Sequence, residues 1–259
     1  MNSISEAYEE NHAFWWTLDG IAEGQDRSVN QNFYWTHHPD KRWASWHKIR
    51  LTAEDIKEEI RSRIKTCIDS DSEIHAHLSN NTQPENLNRQ LLDAGFQHLR
   101  RYPIYYIQTE ALTPDTAQMD WKRFSGNGAD LQSLHSFAGT RKIYTVDYLE
   151  LLQSRMQAAD GRITHHVSYK DEVPFAAFTL IRSDNLLCFY DPLSKSFSDR
   201  QRAGMLRSAA AIAREEACDY LALICDRELE PVLNDLKFQT EGWISWFHLS
   251  RKKLNKFAE

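Results

Sequence analysis

No run of apolar residues in this chain approaches the length needed to cross a bilayer, which is about 20 residues of helix. The first residues, Met1-Asn2-Ser3-Ile4-Ser5-Glu6, have neither a basic start nor an apolar stretch, so no signal peptide is expected. There are only four cysteines, Cys67, Cys188, Cys218 and Cys225, and no C-x-x-C pair. That excludes a zinc knuckle and a dithiol redox motif. Three of the four lie in apolar surroundings and read as buried thiols, which fits a reducing, cytoplasmic setting. Positive charge is in deficit. A net charge of −6 argues against a nucleic-acid partner, which needs a basic excess. Neither an H-E-x-x-H nor a Ser-His-Asp signature is present, and no segment is of low complexity. His37-His38 and His165-His166 are poor chelates, because neighbours on a strand point to opposite faces. His75 and His77 share a face, but no third ligand stands near them in sequence, so no metal is expected.

What is present suffices for two cores. The 259 residues are 41% hydrophobic and 26% charged, an ordinary soluble composition. The chain also repeats itself. Leu91-Leu92-Asp93-Ala94-Gly95-Phe96-Gln97 aligns with Leu233-Asn234-Asp235-Leu236-Lys237-Phe238-Gln239. Both copies end a short helix on Phe and enter an aromatic strand, at 102–107 and 243–249. A repeat this long in period points to two similar halves rather than a solenoid.

Periodicity predicts a helix over 5–22 and two aromatic strands within 32–49, joined at His38-Pro39-Asp40. A helix capped by Thr52 follows, with Ile56, Ile60, Ile64 and Cys67 on one stripe. Residues 73–78 alternate as a strand, and a helix from Pro84 stops at Gly95. The polar segment 112–120 is the linker expected between the halves. Beyond it come a strand (121–124), two helices (129–138, 146–158), three strands (162–169, 173–181, 185–190) and a long helix (199–217). A buried strand (220–225), a short helix and the final strand complete the chain. Trp35, Trp43 and Trp46 read either as core or as the wall of a pocket for an amine or a ring.

This order resembles the GNAT acyltransferase superfamily. The resemblance is carried by Gly161–His166 into Val173–Phe178, by Ala213–Leu223, and by Pro231-Val232-Leu233 to Phe238. The first half resembles the degenerate N-terminal copy of tandem members. The fold implied is α/β (α+β): a tandem acyl-CoA N-acyltransferase-like fold with a mixed, mostly antiparallel sheet flanked by helices. Residues 1–112 would form the degenerate GNAT-like domain and 113–259 the C-terminal one.

The resemblance further implies acetyl-CoA or another acyl-CoA as co-substrate and a small-molecule or peptide amine as acceptor. Phe189, Tyr190 and Asp191 would flank the thioester, with Tyr190 and Asp191 as catalytic candidates and the backbone at 189–191 polarising the carbonyl. Ser198, Arg200, Gln201 and Arg202 would take the phosphates, with Lys195 nearby. The sequence departs from the family pattern at two places. The R/Q-x-x-G-x-G/A phosphate loop, placed at 197–202, lacks its glycines, and Ser198-Asp199-Arg200-Gln201 reads as a capping box instead; placed at Gln201-Arg202-Ala203-Gly204-Met205-Leu206 it has Q-x-x-G but leaves the helix about one turn short and puts Leu at the last small position. The tyrosine that protonates the leaving thiolate is replaced by Leu233, and by Leu91 in the first copy. Tyr190, Asp191, Cys225 and Asp226, which close the two central strands, each also have a plain packing or turn reading.

Three readings therefore stand at this point: an acyltransferase, a non-catalytic binding or regulatory module of the same fold, and a tRNA-dependent peptidyl transferase. The net charge disfavours the last. An open anion-binding turn at 194–204 would favour the enzyme, and a capped helix start the module. The oligomeric state is left open, a homodimer included.

Overall fold

In a computed structural model, the residues described are 3–22, 26–113, 120–125, 131–138, 144–193, 198–225 and 227–258. In chain order the elements are α1 (Ile4–Ala22), β1 (Asp26–Val29), β2 (Tyr34–His38), β3 (Trp43–His47), α2 (Asp55–Asp69), β4 (Glu73–Ser79), α3 (Leu87–Asp93) and β5 (Gln97–Gln108). They continue as β6 (Lys122–Ser125), α4 (Gln132–His135), α5 (Val146–Ala158), β7 (Ile163–Lys170), β8 (Val173–Ser183) and β9 (Leu186–Leu193). Last come α6 (Asp199–Glu215), β10 (Tyr220–Leu223), α7 (Glu230–Asp235), β11 (Gln239–Leu249) and α8 (Arg251–Ala258). The expected order of elements holds, with β1 and α8 added. Most of the expected linker, 114–119, lies outside the described residues. Among the described residues no helix is long and apolar enough to cross a membrane.

The chain forms two compact units, each discontinuous in sequence. The larger holds 1–11 and 104–241; the smaller holds 12–103 and 242–259. This is a partition by packing, whereas the expectation of 1–112 and 113–259 rests on the sequence repeat alone.

In the smaller unit the strands run β1-β2-β3-β4-β11. β3 and β4 are parallel, and their neighbours are antiparallel. A parallel pair needs a crossover, which α2 supplies. Alternation sends Ala44, Trp46, Ile74, Ala76, Leu78, Phe247 and Leu249 to one face, where Ile56 and Ile60 of α2 and Leu87 and Leu91 of α3 complete a core. Trp35 and Trp46 are fully buried there, so both are core residues. The Arg63 guanidinium lies 4.6 Å from the Trp35 ring centroid.

In the larger unit the order is β5-β10-β9-β8-β7-β6. β9 and β10 are parallel around the crossover α6, and β10 pairs antiparallel with β5. Met205, Leu206, Ala209, Ala210 and Ala213 of α6 pack on Phe178, Leu180, Leu187, Phe189, Leu221 and Leu223 of the sheet.

The two units repeat the same backbone devices. α2 and α6 each end with a left-handed residue, Asp71 (φ 50°) and Ala217 (φ 56°). The next N–H bonds back across the turn, Ser72 to Cys67 and Cys218 to Ala213, both at 2.8 Å. α3 and α7 end the same way at Gly95 (φ 88°) and Lys237 (φ 65°). Here Phe96 N–H bonds to Leu91 O at 2.9 Å and Phe238 N–H to Leu233 O at 3.0 Å. These are Schellman caps, which satisfy carbonyls that a helix end leaves unpaired. The sequence repeat is thus a repeated helix stop, with the aromatic residue closing the cap in both copies.

Candidate functional site

The site in the larger unit follows from the crossover. β9 and β10 stay in register from Leu186↔Tyr220 to Cys188↔Ala222. β9 then runs on to Leu193, while β10 ends at Leu223. On its other edge β9 pairs Tyr190 with Thr179 and Leu193 with Ala177, so it fits one residue more than β8 between those points. This is a bulge at Asp191-Pro192, where proline offers no N–H to a ladder. The two parallel strands therefore part beyond Cys188 and Ala222.

Buried polar groups gather at that parting. Tyr8 of α1 stacks on Tyr190, with ring centroids 6.1 Å apart and 15° between the planes. Ile224 N–H, just past β10, donates to Tyr8 Oη at 3.1 Å. Burial, with Cys188 and Cys225 nearby, raises the Tyr8 pKa well above 10, against hydrogen bonds from Tyr190 and Ile224 that lower it. Asn11, one helical turn further along α1, donates through Nδ2 to Ser183 Oγ at 2.9 Å and Cys188 Sγ at 3.2 Å. It accepts from Arg162 Nη2 at 3.0 Å. Burial pushes the Cys188 thiol up to about 12, so it is not a nucleophile. Tyr105 of β5 faces Leu223 across the ladder. Burial, then Glu230 and Cys225, raise its phenol to about 12. Both phenols are held protonated at neutral pH.

Phe189 and Tyr190 of β9 are buried and lie just past the end of the β9–β10 register. Asp191 lies in β9 at the bulge, with its side chain outside the described residues, as are Lys195 and Asp226. Ser198 is the N-cap of α6 and closes a capping box with Gln201. Gln201 N–H donates to Ser198 Oγ at 3.4 Å, and Ser198 N–H to Gln201 Oε1 at 3.0 Å. Arg200 is exposed. Arg202 is engaged by Asp199 (3.3 Å), by the Glu228 carboxylate (3.5 Å) and by the Glu228 carbonyl (3.1 Å). Leu233 is fully buried in the core. A cavity of about 440 Å³ lined by Tyr106, Tyr220, Lys237 and Gln239 lies at the start of β10, the opposite end from the parting. Tyr8, Asn11 and Tyr105 escaped the sequence reading, since nothing in their local spacing ties them to β9 or β10.

No protein-family model matches the sequence, and no curated protein does. Among solved structures the chain is similar to a GCN5-related N-acetyltransferase from Kribbella flavida, with TM-score 0.64, 15% identity and 96% of each chain covered. It is similar to a tandem GNAT protein from the clavulanic acid biosynthesis pathway, with TM-score 0.59, 8% identity, and 85% of this chain and 78% of that one covered. It also resembles N-myristoyltransferase of Saccharomyces cerevisiae, solved with bound myristoyl-CoA, with TM-score 0.54, 10% identity, and 80% and 62% covered. The chain has the GNAT acyltransferase fold, a mixed and mostly antiparallel sheet flanked by helices.

Proposed function

We propose that this protein is an acyl-CoA-dependent N-acyltransferase built from two copies of one fold, 1–112 and 113–259, with its acyl site where β9 and β10 part. The observation that carries this reading is the register of that parallel pair. It ends at Cys188↔Ala222 and is followed by a bulge, leaving strand backbone free of its partner, at the place where the family resemblance implies a thioester. The acceptor amine attacks the acyl carbonyl, the C–S bond breaks and coenzyme A leaves as a thiol. The ammonium proton goes to Asp191 or to water. The leaving sulfur takes a proton from Tyr105 or Tyr8, which stand in for the tyrosine absent at 233 and regain the proton from solvent.

One observation favours the second reading, a binding module without turnover. The start of α6 is capped from within by Ser198 and Gln201, so those donors are already taken. Calorimetric titration with acetyl-CoA and free CoA, alongside a thiol-release assay over a panel of amines, separates the two. Binding with release supports the transferase. Binding without release supports the module. The absence of both removes acyl-CoA from the account.

A further inference from the structure

A second parallel pair parts in the smaller unit. β3 and β4 are in register up to Trp46↔Ala76, and the next residues on each strand are His47 and His77. α1 sets His12 against them. His12 Nε2 lies 3.0 Å from His77 Nδ1. Ring centroids are 4.3 Å apart for His47 and His77, 5.1 Å for His12 and His77, and 5.7 Å for His12 and His47. All three rings are buried, and one nitrogen of each lies within 4.8 Å of the others. Trp16 and Trp246 pack against the cluster, at 5.4 and 5.0 Å from His77.

The hydrogen bonding of this cluster is incomplete. A neutral imidazole has one donor and one acceptor nitrogen. His47 Nε2 is bonded to the Ser45 hydroxyl. His47 Nδ1 is buried and has no hydrogen-bond partner among the described residues. A bare buried nitrogen is destabilising unless something occupies it.

We propose that His12, His47 and His77 bind a divalent first-row transition metal of the zinc class, one nitrogen from each, with a fourth position left open. Three histidines and an open position form a known type of zinc site. Nitrogens bound to tetrahedral zinc at ~2.0–2.1 Å stand roughly 3.3 Å apart, close to the 3.0 Å already between His12 and His77. The proton shared by those two rings moves, on binding, to the other nitrogen of the ring that carries it. Ser45 then fixes the ring of His47 from behind, the usual place for a hydrogen-bond partner of a metal ligand. A neighbouring group, Glu73, His75 and His248, is weaker. Each histidine there already meets a carboxylate oxygen at 3.3 Å, and the three are half-buried. The site is independent of acyl transfer, and it puts His77 together with partners 65 and 30 residues away.

The test titrates the full chain, stripped with a chelator, with Co²⁺ and then Zn²⁺, and follows visible Co²⁺ absorption and metal content. The expected result is one equivalent per chain, with the strong absorption of a four-coordinate ion that zinc displaces. His12→Gln, His47→Gln and His77→Gln should each weaken binding by at least ~10²-fold, and Ser45→Ala by ~10-fold. His75→Gln should leave it unchanged. Circular dichroism checks that each variant folds. If the histidine variants do not fold, the wild-type stoichiometry and Ser45→Ala decide. No saturable Co²⁺ binding by the wild type, or binding moved by His75→Gln and not by Ser45→Ala, overturns the proposal.

Discussion

Ile224 N–H donates to Tyr8 Oη at 3.1 Å, so a residue of the first helix completes the hydrogen bonding of a strand end more than two hundred residues later in the chain. That N–H would otherwise face the gap left where β10 quits β9. Tyr8→Phe keeps the ring and removes the acceptor. A buried donor left unpaired costs about 1–3 kcal/mol. Urea unfolding of the variant should show that loss. Unchanged stability would mean that another group or a water takes the N–H.

Lys237 holds the left-handed position that Gly95 holds in the other copy. A side chain there is strained, whereas glycine is not. Lys237→Gly should therefore stabilise the protein by about 0.5–1 kcal/mol, and Gly95→Ala should destabilise it by a similar amount. Thermal melts of the two variants moving in opposite directions would check the shared cap.

Local signals made much of this legible. The apolar stripe of α6, the boundaries of α5 and the three consecutive strands β7 to β9 all stand in residue spacing, because helices and hairpins close over short stretches of chain. Choice of strand partner does not. β5 lies against β10, and β11 against β4, each pair distant in sequence. The meeting of His12, His47 and His77 is hidden from the sequence for the same reason. Ligand spacing compares neighbours, whereas His77 meets His12 and His47 only through the fold. The phosphate loop was the reverse case: Ser198-x-x-Gln201 announces its capping box in the sequence, and the helix start has it.

His165 and His166 point to opposite faces of β7 and both are buried. His165 bonds Tyr144 Oη and Thr179 Oγ1 at 2.9 Å, with His166 as its charged neighbour when protonated. His166 bonds Thr164 at 2.9 Å and stands near Arg123. Burial first, then those neighbours, lowers both from 6.5 to about 3. Between those values the unfolded chain binds protons that the folded one does not. Stability is thus fully present above pH ~6.5 and falls as the pH drops towards ~3, by about 1.4 kcal/mol per pH unit for each ring. His165→Asn should flatten that slope by up to one proton in urea titrations at pH 7, 6 and 5. An unaltered slope would place the titration elsewhere.

Arg202 already serves Asp199 and Glu228, and Arg200 is exposed. If they hold the phosphates of CoA, the contacts form at solvent-screened sites, and Arg202 must give up ion pairs to make them. The double change Arg200→Ala and Arg202→Ala should then weaken CoA binding by about 1–2 kcal/mol, a factor of about 5–30. The effect should shrink as salt is raised. Affinity independent of both the variant and the salt would assign the phosphates to another part of the chain.

Turnover separates Leu233 from Tyr105. By sequence alone, Leu233→Tyr should restore an acid and speed the reaction. Leu233 is fully buried among Val232, Phe238 and the α6 side chains, however, and a phenol there overfills the core. The expected outcome is a loss of about 1–3 kcal/mol in stability with no gain in rate. Tyr105 stands at the end of β10 with its proton held in place by burial and by Glu230. Tyr105→Phe should slow acyl transfer by up to ~10²-fold, with little change in acyl-CoA affinity. A thiol such as CoA, with a pKa near ~8.5, leaves partly unprotonated at neutral pH, so the rate falls without vanishing. Measured as thiol release in single turnovers, the deficit should narrow as the pH rises past that value. A rate that is unchanged in Tyr105→Phe, with Tyr8→Phe slowed instead, would move the role to the first helix. Loss in neither would leave the departing sulfur to water.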